Sequence, residues 1–99
     1  MKIDNVKLND DLADIIYNKA IQTTLKKLRI KYNLSFQQLA NKLNNVVSRQ
    51  TLCHYEMGDS KVRMYMLKEL AKVYNITIEE MFTMITANYF IELGNYLQK

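Results

Sequence analysis

Gln38-Leu39-Ala40-Asn41-Lys42-Leu43-Asn44-Asn45-Val46-Val47-Ser48-Arg49-Gln50-Thr51-Leu52-Cys53-His54-Tyr55-Glu56-Met57-Gly58 is the stretch on which the fold turns. Its apolar residues recur at helical spacing. Phe36, Leu39, Ala40 and Leu43 share one face of a helix over 36–43 that Ser35 can cap. Asn44-Asn45 ends that helix. Ser48 is a good N-cap for a second helix, 49–57, with Leu52 and Tyr55 turned inward, and Gly58 stands where a left-handed residue closes a helix. The outward residues of this second helix, Arg49, Gln50, Cys53 and His54, are polar or small.

Working outward, Asn9 or Asp10 can cap an upstream helix whose first turn holds Asp11 and Asp14 at the positive end of the helix dipole. Leu12, Ile15, Ile16, Ala20, Ile21, Leu25, Leu28 and Tyr32 follow at spacings of three and four, as one long helix or two, until Asn33 breaks the pattern. Downstream, 59–63 is a polar loop and 64–74 a fourth helix with Leu67, Leu70, Ala71 and Tyr74 inward. Thr77 followed by Glu80 is a capping box that starts the last helix near Ile78. The chain has no proline and only two glycines, Gly58 and Gly94, too few for the tight turns of an all-β protein.

Ninety-nine residues, 48% hydrophobic and 24% charged, make one globular domain with a thin core that a homodimer interface would supplement. No apolar run approaches the roughly 20 residues of a membrane span, and the first residues lack a signal peptide's apolar region, so a cytoplasmic protein is expected. One cysteine, Cys53, and one histidine, His54, rule out an intramolecular disulfide and are too few for a four-ligand zinc site. No cofactor is expected. The acids at helix starts are explained by capping, and with no Gly-rich phosphate loop and no Ser/His/Asp arrangement the chain is not expected to be an enzyme.

Two short helices, the second with a capped and polar first turn, are what a helix-turn-helix reader of DNA requires. The second helix must enter a major groove about 12 Å wide with its N-terminal turn exposed. Arg and Gln make bidentate contacts to guanine and adenine, and Arg49 and Gln50 stand in that turn. Charge agrees: residues 1–20 carry −1, residues 21–63 carry +6 and residues 64–99 carry −1. Lys26, Lys27, Lys31, Lys42, Lys61 and Arg63 can flank the groove as phosphate contacts.

Residues 25–82 resemble the lambda-repressor-like (Cro and Xre-type) helix-turn-helix family. The similarity lies in the order and spacing of Leu28-Arg29, Asn33-Leu34-Ser35, Gln38 to Leu43, Val47 to Gly58, Leu67 to Ala71 and Tyr74 to Phe82. It implies an all-α, compact five-helix domain in which 21–82 is the core, 1–20 an N-terminal helical extension and 83–99 a C-terminal helix. It also implies that Arg49, Gln50 and His54 read bases with Cys53 facing the groove, and that Ser48 and Thr51 cap the helix or touch phosphate. Arg29 and Glu56 match a structural ion pair, and Lys61 and Arg63 a loop that follows the DNA backbone. Two departures stand out. The turn Asn44-Asn45-Val46-Val47 is about two residues longer than usual, and Phe36 replaces a Gln that anchors the helix to phosphate, so that either Gln37 or Gln38 takes that role or the contact is absent.

The segment 81–97 is rich in large apolar side chains, from Phe82 and Ile85 to Tyr96 and Leu97. It either folds back on the first helix over Ile15, Ile16 and Ala20, or leaves a face for a homodimer that sets two reading helices about 34 Å apart. The expected function is sequence-specific double-stranded DNA binding by a repressor of bacterial, phage or mobile-element type. The alternative is a protein-interaction module, an antitoxin or phage-encoded inhibitor, reusing the scaffold. A thiol on the DNA face also raises a redox role for Cys53, if neighbouring cations such as Arg49 lower its pKa.

Overall fold

A computed structural model describes the backbone of residues 2–98 and the side chains of residues 11–98. Its elements are all helical: α1 (Lys2–Lys31), α2 (Phe36–Lys42), α3 (Arg49–Met57), α4 (Met64–Val73) and α5 (Ile78–Leu97). α1 is a single helix that begins at Lys2, so Asn9 and Asp10 lie within it rather than at its cap. The segment contains neither glycine nor proline, and an Asn or Asp inside a helix costs only about 0.7 kcal/mol relative to Ala. That is too little to stop a helix already propagating.

Four connections are closed by the same local device. After α1, Asn33 takes a left-handed φ of 55°, its N–H donates to the Ile30 carbonyl at 2.9 Å, and the Leu34 N–H reaches back to Arg29 at 3.0 Å. This is a Schellman motif. Asn44 after α2 and Asn75 after α4 repeat it, with Asn45 N–H donating to Ala40 and Ile76 N–H to Ala71. Gly58, at φ 85°, does the same after α3, where the Asp59 N–H donates to His54. The scarcity of glycine is met by asparagine, the other residue that tolerates the left-handed region. Three starts are as explicit: Ser35 with Gln38, and Thr77 with Glu80, form capping boxes, and Ser48 caps α3 alone.

The core gathers Ala20, Ile21, Leu25 and Leu28 of α1 with Leu39, Leu52, Leu67, Leu70, Tyr74, Met81 and Ile85. α5 folds back along α1. Thr24, buried in that seam, donates to the Ala20 carbonyl at 2.8 Å and accepts from the Asn88 amide at 2.8 Å, while Lys27 Nζ donates to Asn88 Oδ1 at 3.1 Å. A buried polar pair is stable only when satisfied, and here each partner satisfies the other. Fold-back buries Ile16 and Ala20 as expected, but Ile15 remains 65% exposed because α5 meets the adjacent stripe of α1. Tyr32, expected inside, is half exposed; its ring packs 5.1 Å from that of Tyr74 and its hydroxyl donates to the Tyr74 carbonyl.

Candidate nucleic-acid interface

α3 is positioned by three anchors. Leu52 is buried in the core. Arg29 grips Glu56 in a two-pronged ion pair, Nε donating to Oε2 at 2.7 Å and Nη2 to Oε1 at 3.0 Å. Its remaining nitrogen, Nη1, donates to the Leu34 carbonyl at 3.0 Å, and the guanidinium lies 4.2 Å from the centre of the Phe36 ring. The side chains of the pair are largely buried, and the hydrogen bond to Glu56 holds the arginine pKa above its ordinary value. Phe36, the residue that departs from the usual glutamine, thus serves as a stacking partner for Arg29. The third anchor is Gly58, packed against Gln22: a Cβ there would stand 2.5 Å from Gln22 Nε2.

With those anchors on one side, the opposite side of α3 is open. Arg49 and Gln50 are exposed in the first turn. Cys53 is half-buried, its sulfur 3.5 Å from Met57 Sδ, and His54 is exposed with Nδ1 3.1 Å from Asp59 Oδ2. Met57, 66% exposed, lies on this face at the i+4 position from Cys53 and the i+7 position from Gln50. In the sequence Met57 is marked only as a helix end, yet its spacing from those two residues puts it on this face.

The flanking polar residues are partly committed elsewhere. Ser48 Oγ accepts from the Thr51 N–H at 3.1 Å and lies 3.0 Å from the Thr51 hydroxyl. Gln38 is consumed by its capping box, accepting from the Ser35 N–H at 2.8 Å. Gln37 is exposed and bonded only along its own helix, to Asn41 at 3.1 Å. Lys61 and Arg63 are exposed in the α3–α4 loop, and Arg63 occupies the N-cap of α4 without a side-chain cap bond. Lys27 and Lys31 depart from the expected phosphate flank. They line the groove between α1 and α5 with Met84 and Ile91, on the side of α1 away from the Arg29 and Gln22 contacts to α3.

The longer turn is absorbed without disturbing either helix. Asn44 and Asn45 are both left-handed, at φ 55° and 58°, and Val46 N–H donates to the Leu43 carbonyl at 3.1 Å, so the two extra residues coil in place while Val47 tucks against the core. α2 and α3 remain packed on each other.

A short supporting helix, a coiled turn and a second helix held by its inner face with its first turn free define a helix-turn-helix DNA-binding module. Residues 25–81 match the helix-turn-helix family of Cro/C1 type. The chain belongs to that family, Xre-like in pattern, and is a DNA-binding helix-turn-helix regulator. No curated protein and no solved structure matches it. Among the described residues no helix is long and apolar enough to cross a membrane, and no group of three or more His, Cys, Asp or Glu could hold a metal ion.

Proposed function

We propose that the chain is a sequence-specific transcriptional repressor that binds double-stranded DNA as a cytoplasmic homodimer, with α3 in the major groove. The observation that carries this reading is the first turn of α3. Capped by Ser48 and held from behind by Leu52 and the Arg29–Glu56 pair, it presents Arg49 and Gln50 to solvent on a rigid element. Cys53 and His54 complete the base-reading face. Gln37, Ser48, Thr51, Lys61 and Arg63 contact phosphate, positioning the helix without specifying sequence.

Selection from a random pool of DNA duplexes at physiological salt tests the reading: a two-fold symmetric motif is the expected product. Failure to enrich any motif would sink it. The exposed apolar side chains of α5, Phe90, Ile91 and Leu97, favour one second reading, a protein-interaction module. That reading gains if no motif emerges while a stable complex with a different protein does.

A further inference from the structure

His54 and Asp59 form a pair that folding stability does not explain. His54 lies on the open face of α3, one turn after Gln50, and Asp59 is the second residue past the end of that helix. His54 Nδ1 stands 3.1 Å from Asp59 Oδ2, with about half of each side chain exposed, so the contact adds little to stability.

Asp59 is otherwise poorly placed. It sits at the negative end of the α3 dipole, where a carboxylate is disfavoured, and in the same loop as Lys61 and Arg63, which the DNA-binding reading sets against phosphate. Residues 21–63 hold only two acids, and the other, Glu56, is taken up by Arg29. Among the described residues, the one side chain bonded to Asp59 is His54. An acid that weakens both the helix end and attraction to a polyanion points to a role through that histidine.

The pairing decides where the ring keeps its proton. An ionised carboxylate only accepts, so the nitrogen facing it carries hydrogen, and in a neutral imidazole the other nitrogen is then a bare acceptor. That nitrogen is Nε2. It lies across the ring from Asp59 and has no hydrogen-bond partner among the described residues.

We propose that Asp59 is a positioning residue that locks His54 as the Nδ1–H tautomer, so that Nε2 reads an exocyclic amine in the major groove, accepting from adenine N6 or cytosine N4. Guanine offers O6 and N7 at its major-groove edge and thymine O4, acceptors that oppose a second acceptor. Residue 54 thereby separates amino-edged from keto-edged bases. Its neighbours on the helix do something different: Arg49 can only donate, and the Gln50 amide both donates and accepts. The inference rests on α3 being the base-reading helix and specifies what one of its residues reads.

His54 is the only histidine, so its ring nitrogens give a single unambiguous set of NMR signals in the full chain without DNA. At about pH 8, where an imidazole is ordinarily neutral, the wild type is expected to be mostly the Nδ1–H form, and Asp59→Asn to move toward the Nε2–H form. A wild type that is mostly Nε2–H, or a tautomer ratio unchanged by Asp59→Asn, would overturn the proposal. Selection from random duplexes at the same pH is the second arm. The position read by residue 54 is the one whose preference is lost in His54→Ala. There the wild type should favour adenine or cytosine over guanine or thymine by about tenfold. Asp59→Asn should erase that preference while tightening binding to every sequence, since it removes a negative charge near phosphate. No position responding to His54→Ala, a guanine or thymine preference there, or a preference that survives Asp59→Asn would each overturn the base assignment. Because the ring signals are read without DNA, a motif selected by a chain in the Nε2–H form removes the lock alone. A locked ring in a chain that selects no motif removes α3 as the reader, and the base assignment with it.

Discussion

Arg49, Gln50 and Lys61 differ in what their charge or amide can recognise, and that difference is measurable. Arg49→Ala and Gln50→Ala should each flatten base preference by about 1 to 3 kcal/mol at one position, whereas Lys61→Ala should weaken binding to all sequences alike and reduce the salt slope by about one. Binding titrations on a selected motif and its single-base variants check both. Tyr74 makes a different kind of prediction. Its side chain is buried and its hydroxyl has no hydrogen-bond partner among the described residues, so Tyr74→Phe should be neutral or stabilising by about 1 kcal/mol in urea melts. Burial pushes the phenols of Tyr74 and Tyr55 above their ordinary value of 10.0. Below that pH both states keep the proton and stability is unaffected; above it the unfolded chain ionises first, and stability falls as pH rises. Tyr74→Phe should make that alkaline loss shallower. The ion pair of Arg29 and Glu56 was legible through family resemblance, but the stacking of Phe36 was not, because a ring's partner depends on where the next helix begins.

The helices owe their limits to signals contained within a few residues. Asn33, Asn44 and Asn75 hold left-handed conformations that a Cβ disfavours, at φ 55° in each case. Replacing Asn33 or Asn75 with Ala should cost about 1 kcal/mol, while Gly at the same positions should be neutral or slightly stabilising; thermal melts of the four variants distinguish a conformational role from a side-chain contact. Equal losses for Ala and Gly would mean that the amide, not the backbone, matters. The same locality explains what could be read in advance. α3 runs from Arg49 to Met57 as its Ser48 and Gly58 signals indicate, and α2 and α4 each end one residue short of expectation at a capping residue. The start of α1 at Lys2 is not legible from Asn9 and Asp10, which are caps only if the preceding chain is not already helical.

At the scale of the molecule α1 is the beam on which the rest is built. One side carries α3 through Gln22 and Arg29; the other carries α5 through Thr24, Lys27 and Thr23. Removing residues 78–99 would strip cover from Ile16, Ala20 and Thr24 and leave the core without Met81 and Ile85. Such a chain should show no cooperative unfolding by circular dichroism, even though the helix-turn-helix helices are intact in sequence. The segmental charge was legible, but its orientation was not: a count along the chain cannot tell that Lys27 and Lys31 turn toward α5. Likewise Asn88 gave no sign of lying in the seam, because only the docking of α5 decides which residue meets Thr24.

The locally closed helix ends also set a timetable. Each Schellman motif joins residues at most five apart, so the ends of α1 to α4 can form on the timescale of helix–coil relaxation, about a microsecond or less. The Thr23–Glu92 and Thr24–Asn88 bonds span 69 and 64 positions. Closing those long loops should therefore set the refolding rate, and a chain without proline has no prolyl isomerisation to slow it further.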